Sequence, residues 1–171
     1  MKAFTAYIPT RLLFGAGKLK ELHLQKMPGK RALLVLSRGK SAKESGALKR
    51  TEEELAAADV SYALFDEIEA NPLKDTVMRG AACARREGCD FILALGGGSV
   101  MDCAKIIGAR IAKPRQPVQR MGGLLRILRR TPLLIAAPTT AGTGSETTLA
   151  AVITDSAAHH KYPINDFALI P

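Results

Sequence analysis

Two stretches of this chain combine residue types able to hold an anionic ligand. The first is Gly96-Gly97-Gly98-Ser99-Val100-Met101-Asp102. Glycines let the backbone approach a ligand with no Cβ in the way, and the free N–H groups of a following helix attract phosphate. The second is Pro138-Thr139-Thr140-Ala141-Gly142-Thr143-Gly144-Ser145-Glu146-Thr147-Thr148. Its hydroxyls both donate and accept hydrogen bonds and its small side chains allow close approach, which suits a sugar-phosphate. Ser99-x-x-Asp102 and Thr143-x-x-Glu146 also have the spacing of capping boxes, so a capped strand-to-helix turn accounts for either stretch alone. The standard fingerprints fail on counting. Gly96-x-Gly98-x-x leads to Met101 where a dinucleotide motif has Gly, and Leu34 stands where a P-loop ending in Gly39-Lys40-Ser41 needs its first Gly.

Other chemistries find less support. The histidines are His23, His159 and His160; adjacent side chains diverge in an extended segment and His23 is distant, so surface histidines are expected rather than a metal site. Cys83, Cys89 and Cys103 form no Cys-x-x-Cys pair and read as reduced packing residues. The 25 Lys and Arg exceed the 16 Asp and Glu, a net charge of +9. Six of the basic residues lie in 113–130, which holds no acid, so the excess is local. That stretch has no aromatic residue to stack a base, which disfavours nucleic acid and favours a solvated basic loop or helix face. No apolar run reaches the roughly 18 residues of a membrane span, and Met1-Lys2-Ala3-Phe4-Thr5 does not read as a signal peptide. A cytoplasmic protein without a membrane or nucleic-acid partner is expected.

The elements that must position the two loops follow from periodicity. A short hairpin is predicted around Pro9-Thr10, closed by Gly15-Ala16-Gly17, and a helix begins at 18–24. Continuous apolar runs at 31–36, 91–95 and 133–137 have the length of buried parallel strands, with a further strand at 61–65. Helices are predicted over 46–58, 72–87 and 100–112, the second capped by Asn71 with Pro72 in its first turn. Strands separated by helical lengths imply one α/β domain over 1–171, a Rossmann-like parallel sheet with helices on both faces. Both polar loops then fall at the carboxyl ends of strands, where open sheets collect ligands.

These motifs, together with Phe14-Gly15-Ala16-Gly17, Asn71-Pro72, Asp102 and Lys105, resemble the N-terminal, cofactor-binding domain of the iron-containing (group III) alcohol dehydrogenases. The fold implied is the dehydroquinate synthase-like N-terminal domain. The run 138–146 fits this family better than glycerol dehydrogenase or dehydroquinate synthase. The resemblance implies an oxidoreductase acting on CH-OH groups, passing hydride between a small alcohol or aldehyde and NAD or NADP. It implies that Gly97, Gly98 and Ser99 hold the pyrophosphate, with Asp102 in the same motif. Thr139, Thr140 and Thr143 would line the adenosine and ribose side, and Asn71 and Lys161 would lie toward the nicotinamide. Taken without the family, Asn71 reads as a helix cap, Lys161 as a solvated lysine, and Asp102 with Lys105 as a surface ion pair.

Ser37 stands where many NAD-preferring relatives have Asp, and Arg38 and Lys40 follow, so tolerance of NADP is expected. The family's iron(II) or zinc(II) is held by an Asp and three His of a helical domain, and none of those ligands falls within these 171 residues. The chain alone is therefore expected to turn over no alcohol and, with uncovered apolar surface, to be marginally stable, prone to self-association or dependent on a partner. A non-catalytic nucleotide-binding or interaction module left by truncation is the alternative. The basic stretch 113–130 departs from the family's more neutral connection, and a local disturbance of the reading frame is one hypothesis for it.

Overall fold

The computed structural model describes residues 8–156 and 160–171. Four parallel strands form the main sheet: β1 (Arg31–Ser37), β2 (Ser61–Ile68), β3 (Phe91–Gly96) and β5 (Leu134–Pro138), in the order β2-β1-β3-β5. β1 and β3 are central and apolar on both faces, as buried parallel strands must be. Leu33, Val35, Ile92 and Ala94 point to one side, and Ala32, Leu34, Leu36, Leu93 and Leu95 to the other.

Helices cover both faces, confirming the doubly covered α/β reading. On one side lie a 3₁₀ helix (Lys18–Leu24), the short α1 (Ser41–Glu44) and α2 (Ala47–Ala57), which buries Leu48 and Leu55. On the other lie α3 (Lys74–Arg86) and α4 (Gly98–Ala112). A second, three-stranded sheet of β4 (Gly123–Leu124), β7 (His160–Asn165) and β6 (Ala150–Asp155) packs outside α4, in the order β4-β7-β6. α4 is thus sandwiched between two sheets. That explains why Val100, Met101, Cys103, Ala104, Ile106, Ile107 and Ala109 are all buried on a helix that would otherwise need a polar face.

Several expectations are corrected. Residues 8–14 form no strand, so no hairpin surrounds Pro9-Thr10 among the described residues; Tyr7 lies outside them. The α3 N-cap is Leu73 and not Asn71, whose backbone is left-handed at φ 58°. The basic stretch is more than a solvated loop. Val118, Met121 and Ile127 are buried, β4 pairs with β7, and the Asp166 carboxylate accepts the N–H groups of Ile127 and Leu128 at 2.8 and 3.0 Å. A frame-disturbed insert would have no reason to supply apolar residues at these core positions, so the packing argues against that hypothesis.

Candidate functional site

The glycine loop owes its geometry to the end of β3. Gly96 accepts the Thr139 N–H at 2.9 Å, which ties the ends of β3 and β5 together. Gly97 is the N-cap of α4, its carbonyl accepting from Val100 N and Met101 N at 3.0 and 3.1 Å. The N–H groups of Gly98 and Ser99, in the first turn, precede any intrahelical acceptor and carry the positive end of the helix dipole. This N-terminus therefore offers donors to an anion at the carboxyl end of the sheet.

The hydroxyl-rich loop folds over that N-terminus. A Cβ built on Gly97 would lie 3.0 Å from Thr140 Oγ1, and one on Gly98 would lie 3.3 Å from Ser145 Oγ and 3.4 Å from Thr143 Cβ. Only glycine lets the loop come so close. Gly142 and Gly144, at φ 88° and 65°, make the turns that permit the approach. Thr139, Thr140 and Thr143 remain exposed beside the glycines, and Thr143 Oγ1 accepts from Ser145 N at 3.5 Å. Ser37 ends β1 at a register shift of the β1–β2 ladder, where it faces Ile68. A bulge of this kind re-aims a side chain at a strand end.

Asn71 and Lys161, 90 residues apart, are brought together: Lys161 Nζ donates to Asn71 Oδ1 at 2.8 Å. Of the expected cofactor residues, Gly97, Gly98, Ser99, Thr139, Thr140 and Thr143 thus gather around the α4 N-terminus, while Asn71 and Lys161 form a separate pair where β7 faces the segment before α3. His159 lies outside the described residues. His160 stacks on Tyr162 with centroids 5.8 Å apart, and His23 Nδ1 lies 2.6 Å from Glu54.

Asp102 and Lys105 form neither a capping box nor a surface ion pair. No side chain caps α4, so Ser99-x-x-Asp102 is not a capping box, and 143–146 starts no helix. Nor are the two residues a surface pair. Asp102 Oδ2 accepts the Val152 N–H of β6 at 3.0 Å. Burial pushes its carboxyl above the ordinary range, against the opposing pull of that N–H, Lys105 and Ser145. Lys105, 3% exposed, donates to Thr148 O at 2.7 Å, to Ala150 O at 2.9 Å and to Thr148 Oγ1 at 3.2 Å. Burial pulls its amine down to about 8, in spite of the Asp102 and Glu146 carboxylates nearby. One helix thus holds the far end of the hydroxyl loop through two side chains. Ser145 and Thr148, which carry this anchoring, were missed in the sequence because nothing distinguishes them from their hydroxyl neighbours.

A cavity of about 580 Å³ lies on the α2 side of the sheet, lined by Phe14, Leu95, Ile135 and Ala137, and it reaches the site at Pro138 and Thr139. Among the described residues no group of three or more His, Cys, Asp or Glu is placed to hold a metal ion. The donor set does not fit the family's metal.

A parallel sheet whose helix N-terminus and small-residue loop meet at its carboxyl end defines a Rossmann-like domain of the ligand-binding kind. The profile of the family described as iron-containing alcohol dehydrogenase matches residues 9–171, and the chain belongs to that family. It is 34% identical to 1,3-propanediol dehydrogenase of Klebsiella pneumoniae over 99% of this chain and 44% of that protein. It is also 34% identical to NADPH-dependent butanol dehydrogenase of Clostridium saccharobutylicum, over 100% of this chain and 43% of that protein. The crystal structure of a 1,3-propanediol oxidoreductase superposes with a TM-score of 0.91 at 34% identity, covering 99% of this chain and 44% of that one. The chain spans less than half the length of these relatives.

Proposed function

We propose that these residues place a nicotinamide dinucleotide, NAD or NADP, for hydride transfer to or from a small alcohol or aldehyde. The observation that supports this reading is the α4 N-terminus, where Gly97 lies against Thr140 and Gly98 against Thr143 and Ser145, while the first-turn N–H groups of Gly98 and Ser99 have no intrahelical acceptor. In this reading the pyrophosphate meets those N–H groups with no side chain to displace, because the glycines leave the backbone bare. Thr139, Thr140 and Thr143 offer hydroxyls to the adenosine ribose, Ser37 meets its 2′ position, and the Asn71–Lys161 pair lies toward the nicotinamide. Asp102 acts one step back, fixing loop against helix rather than touching the ligand. The bound nicotinamide supplies hydride chemistry; the protein's share is to hold and orient it.

The metal that polarises the alcohol oxygen in this family has no ligand set among the described residues. Cofactor placement and metal chemistry are therefore separable in experiment. Titration of NAD and NADP by calorimetry tests the first. Gly98→Val should weaken binding at least tenfold, because its branched side chain would enter space already bounded by Ser145 Oγ and Thr143. Unchanged affinity in that variant would place the ligand elsewhere.

A further inference from the structure

A second concentration of positive charge lies away from the glycine loop. Lys74 at the start of α3, Arg110 near the end of α4, and Arg115 and Gln119 beyond it line a cleft of about 300 Å³ with Met78 and Val118. Arg110 follows Gly98 on the same helix by about 18 Å of rise at 1.5 Å per residue, so this cleft and the α4 N-terminus are distinct places.

Two of the cations, Arg110 and Lys74, are held by neighbours. Arg110 Nε faces Met78 Sδ at 3.1 Å and Nη1 donates to Lys113 O at 3.0 Å, which fixes the guanidinium; Nη2 makes no hydrogen bond to the described residues. Lys74 Nζ and Gln119 Nε2 approach the same oxygen, Asp155 Oδ2, at 3.1 and 3.4 Å. Arg115 makes no hydrogen bond or ion pair with any described residue. The segment carrying Arg115 and Gln119 is itself anchored, since Val118 and Met121 are buried. Nothing acidic lies within 113–130 to neutralise it.

The charge balance selects the ligand. Three cations, Lys74, Arg110 and Arg115, line the cleft; Lys74 is paired with Asp155, and the two arginines make no ion pair among the described residues, which leaves two positive charges unmatched. A monocarboxylate would match one of them, whereas a phosphate monoester carries close to two negative charges near pH 7. Guanidinium groups also present paired donors that fit phosphate oxygens. The volume sits at the lower end of small-ligand pockets, roughly 300–1,000 Å³, so it admits more than a bare ion. We propose that the cleft between α3, α4 and the 113–119 segment binds a phosphate dianion, either free or carried by a small phosphomonoester.

The test is a titration of ¹⁵N-labelled protein with inorganic phosphate, with glycerol 3-phosphate and with glycerol, following backbone amide shifts. The expected result is saturable movement of the amides of Lys74, Lys113, Arg115, Gln116, Val118 and Gln119 with both phosphates and none with glycerol. Arg115→Gln should weaken this at least tenfold while leaving the thermal midpoint unchanged, and Arg110→Gln should do the same. Tighter binding of glycerol 3-phosphate than of phosphate identifies an organic ligand; equal affinity identifies free phosphate. Absence of any saturable shift overturns the proposal. Shifts confined to 97–99 and 139–143, undiminished binding in Arg115→Gln, or a response to duplex DNA alone overturn it equally.

Discussion

Lys105 makes a sharp prediction because its environment pulls it in two directions. Burial works against the ammonium, while two carbonyls, a hydroxyl and the Asp102 and Glu146 carboxylates favour it; burial prevails, taking the amine from 10.5 to about 8. Below pH 8 the amine is charged in the folded and unfolded chain alike, and the full cost of burying it is present. Between about 8 and 10.5 the unfolded chain keeps the proton and the folded chain has lost it, so stability rises with pH. Above 10.5 both forms are neutral. At roughly 1.4 kcal/mol per pH unit the gain across this window is about 3 kcal/mol.

Other groups run the opposite way. Burial raises the Cys103 and Cys89 thiols, and hydrogen bonding to Glu52 raises the Tyr62 phenol. Each of these ionises earlier in the unfolded chain and lowers stability as pH rises. The wild-type profile alone is therefore uninformative, and the difference from Lys105→Met isolates the amine. Urea unfolding of both proteins from pH 7.5 to 10.5 should show wild type gaining about 3 kcal/mol on the variant. A difference constant to within about 1 kcal/mol would refute the reasoning, and would mean that three hydrogen bonds to the ammonium outweigh its burial.

Further outcomes follow from single contacts. Ser37→Asp should shift preference from NADP toward NAD, read as the ratio of dissociation constants in parallel titrations, because a carboxylate there repels a 2′-phosphate. Asp166→Ala should destabilise by about 3 kcal/mol in chemical denaturation, since Asp166, 1% exposed, accepts the N–H groups of Ile127, Leu128 and Ala168. Gly80→Ala should cost about 1–3 kcal/mol by the same assay, as its Cβ would run into Ile107 and lie 3.1 Å from Phe65.

What was legible in the sequence was what is buried on both sides. β1 and β3 stand out as continuous apolar runs because they are central in a parallel sheet, and both loops then follow from their position. β6 and β7 were not predicted. Ala150–Asp155 holds the strand formers Val152, Ile153 and Thr154 but follows a long polar loop, and Pro163 within His160–Asn165 lacks the N–H that a ladder uses, which argues against a strand. Their sheet forms against the face of α4 that carries Asp102 and Lys105, a reason that lies in tertiary packing. Among the described residues, the predicted hairpin at 7–14 fails for the converse reason. Ile8, Leu12 and Phe14 stay exposed, and an isolated hairpin is stable only when one face is covered.

The spacing Asp102-x-x-Lys105 shows how one pattern admits opposite meanings. Residues three apart share a helix face, and on a solvated helix opposite charges there would turn to each other. Here that face meets β6 and the end of the hydroxyl loop, so both side chains reach outward to the same segment: Asp102 takes the Val152 N–H, and Lys105 caps the Thr148 and Ala150 carbonyls. An acceptor and a donor on one helix face thus satisfy unpaired backbone groups of both signs on either side of Ala151. Since the same helix begins at Gly98, any shift of the loop past α4 would break these bonds and reopen the contact between Thr140 and Gly97. Asp102 and Lys105 therefore set the distance between the two loops.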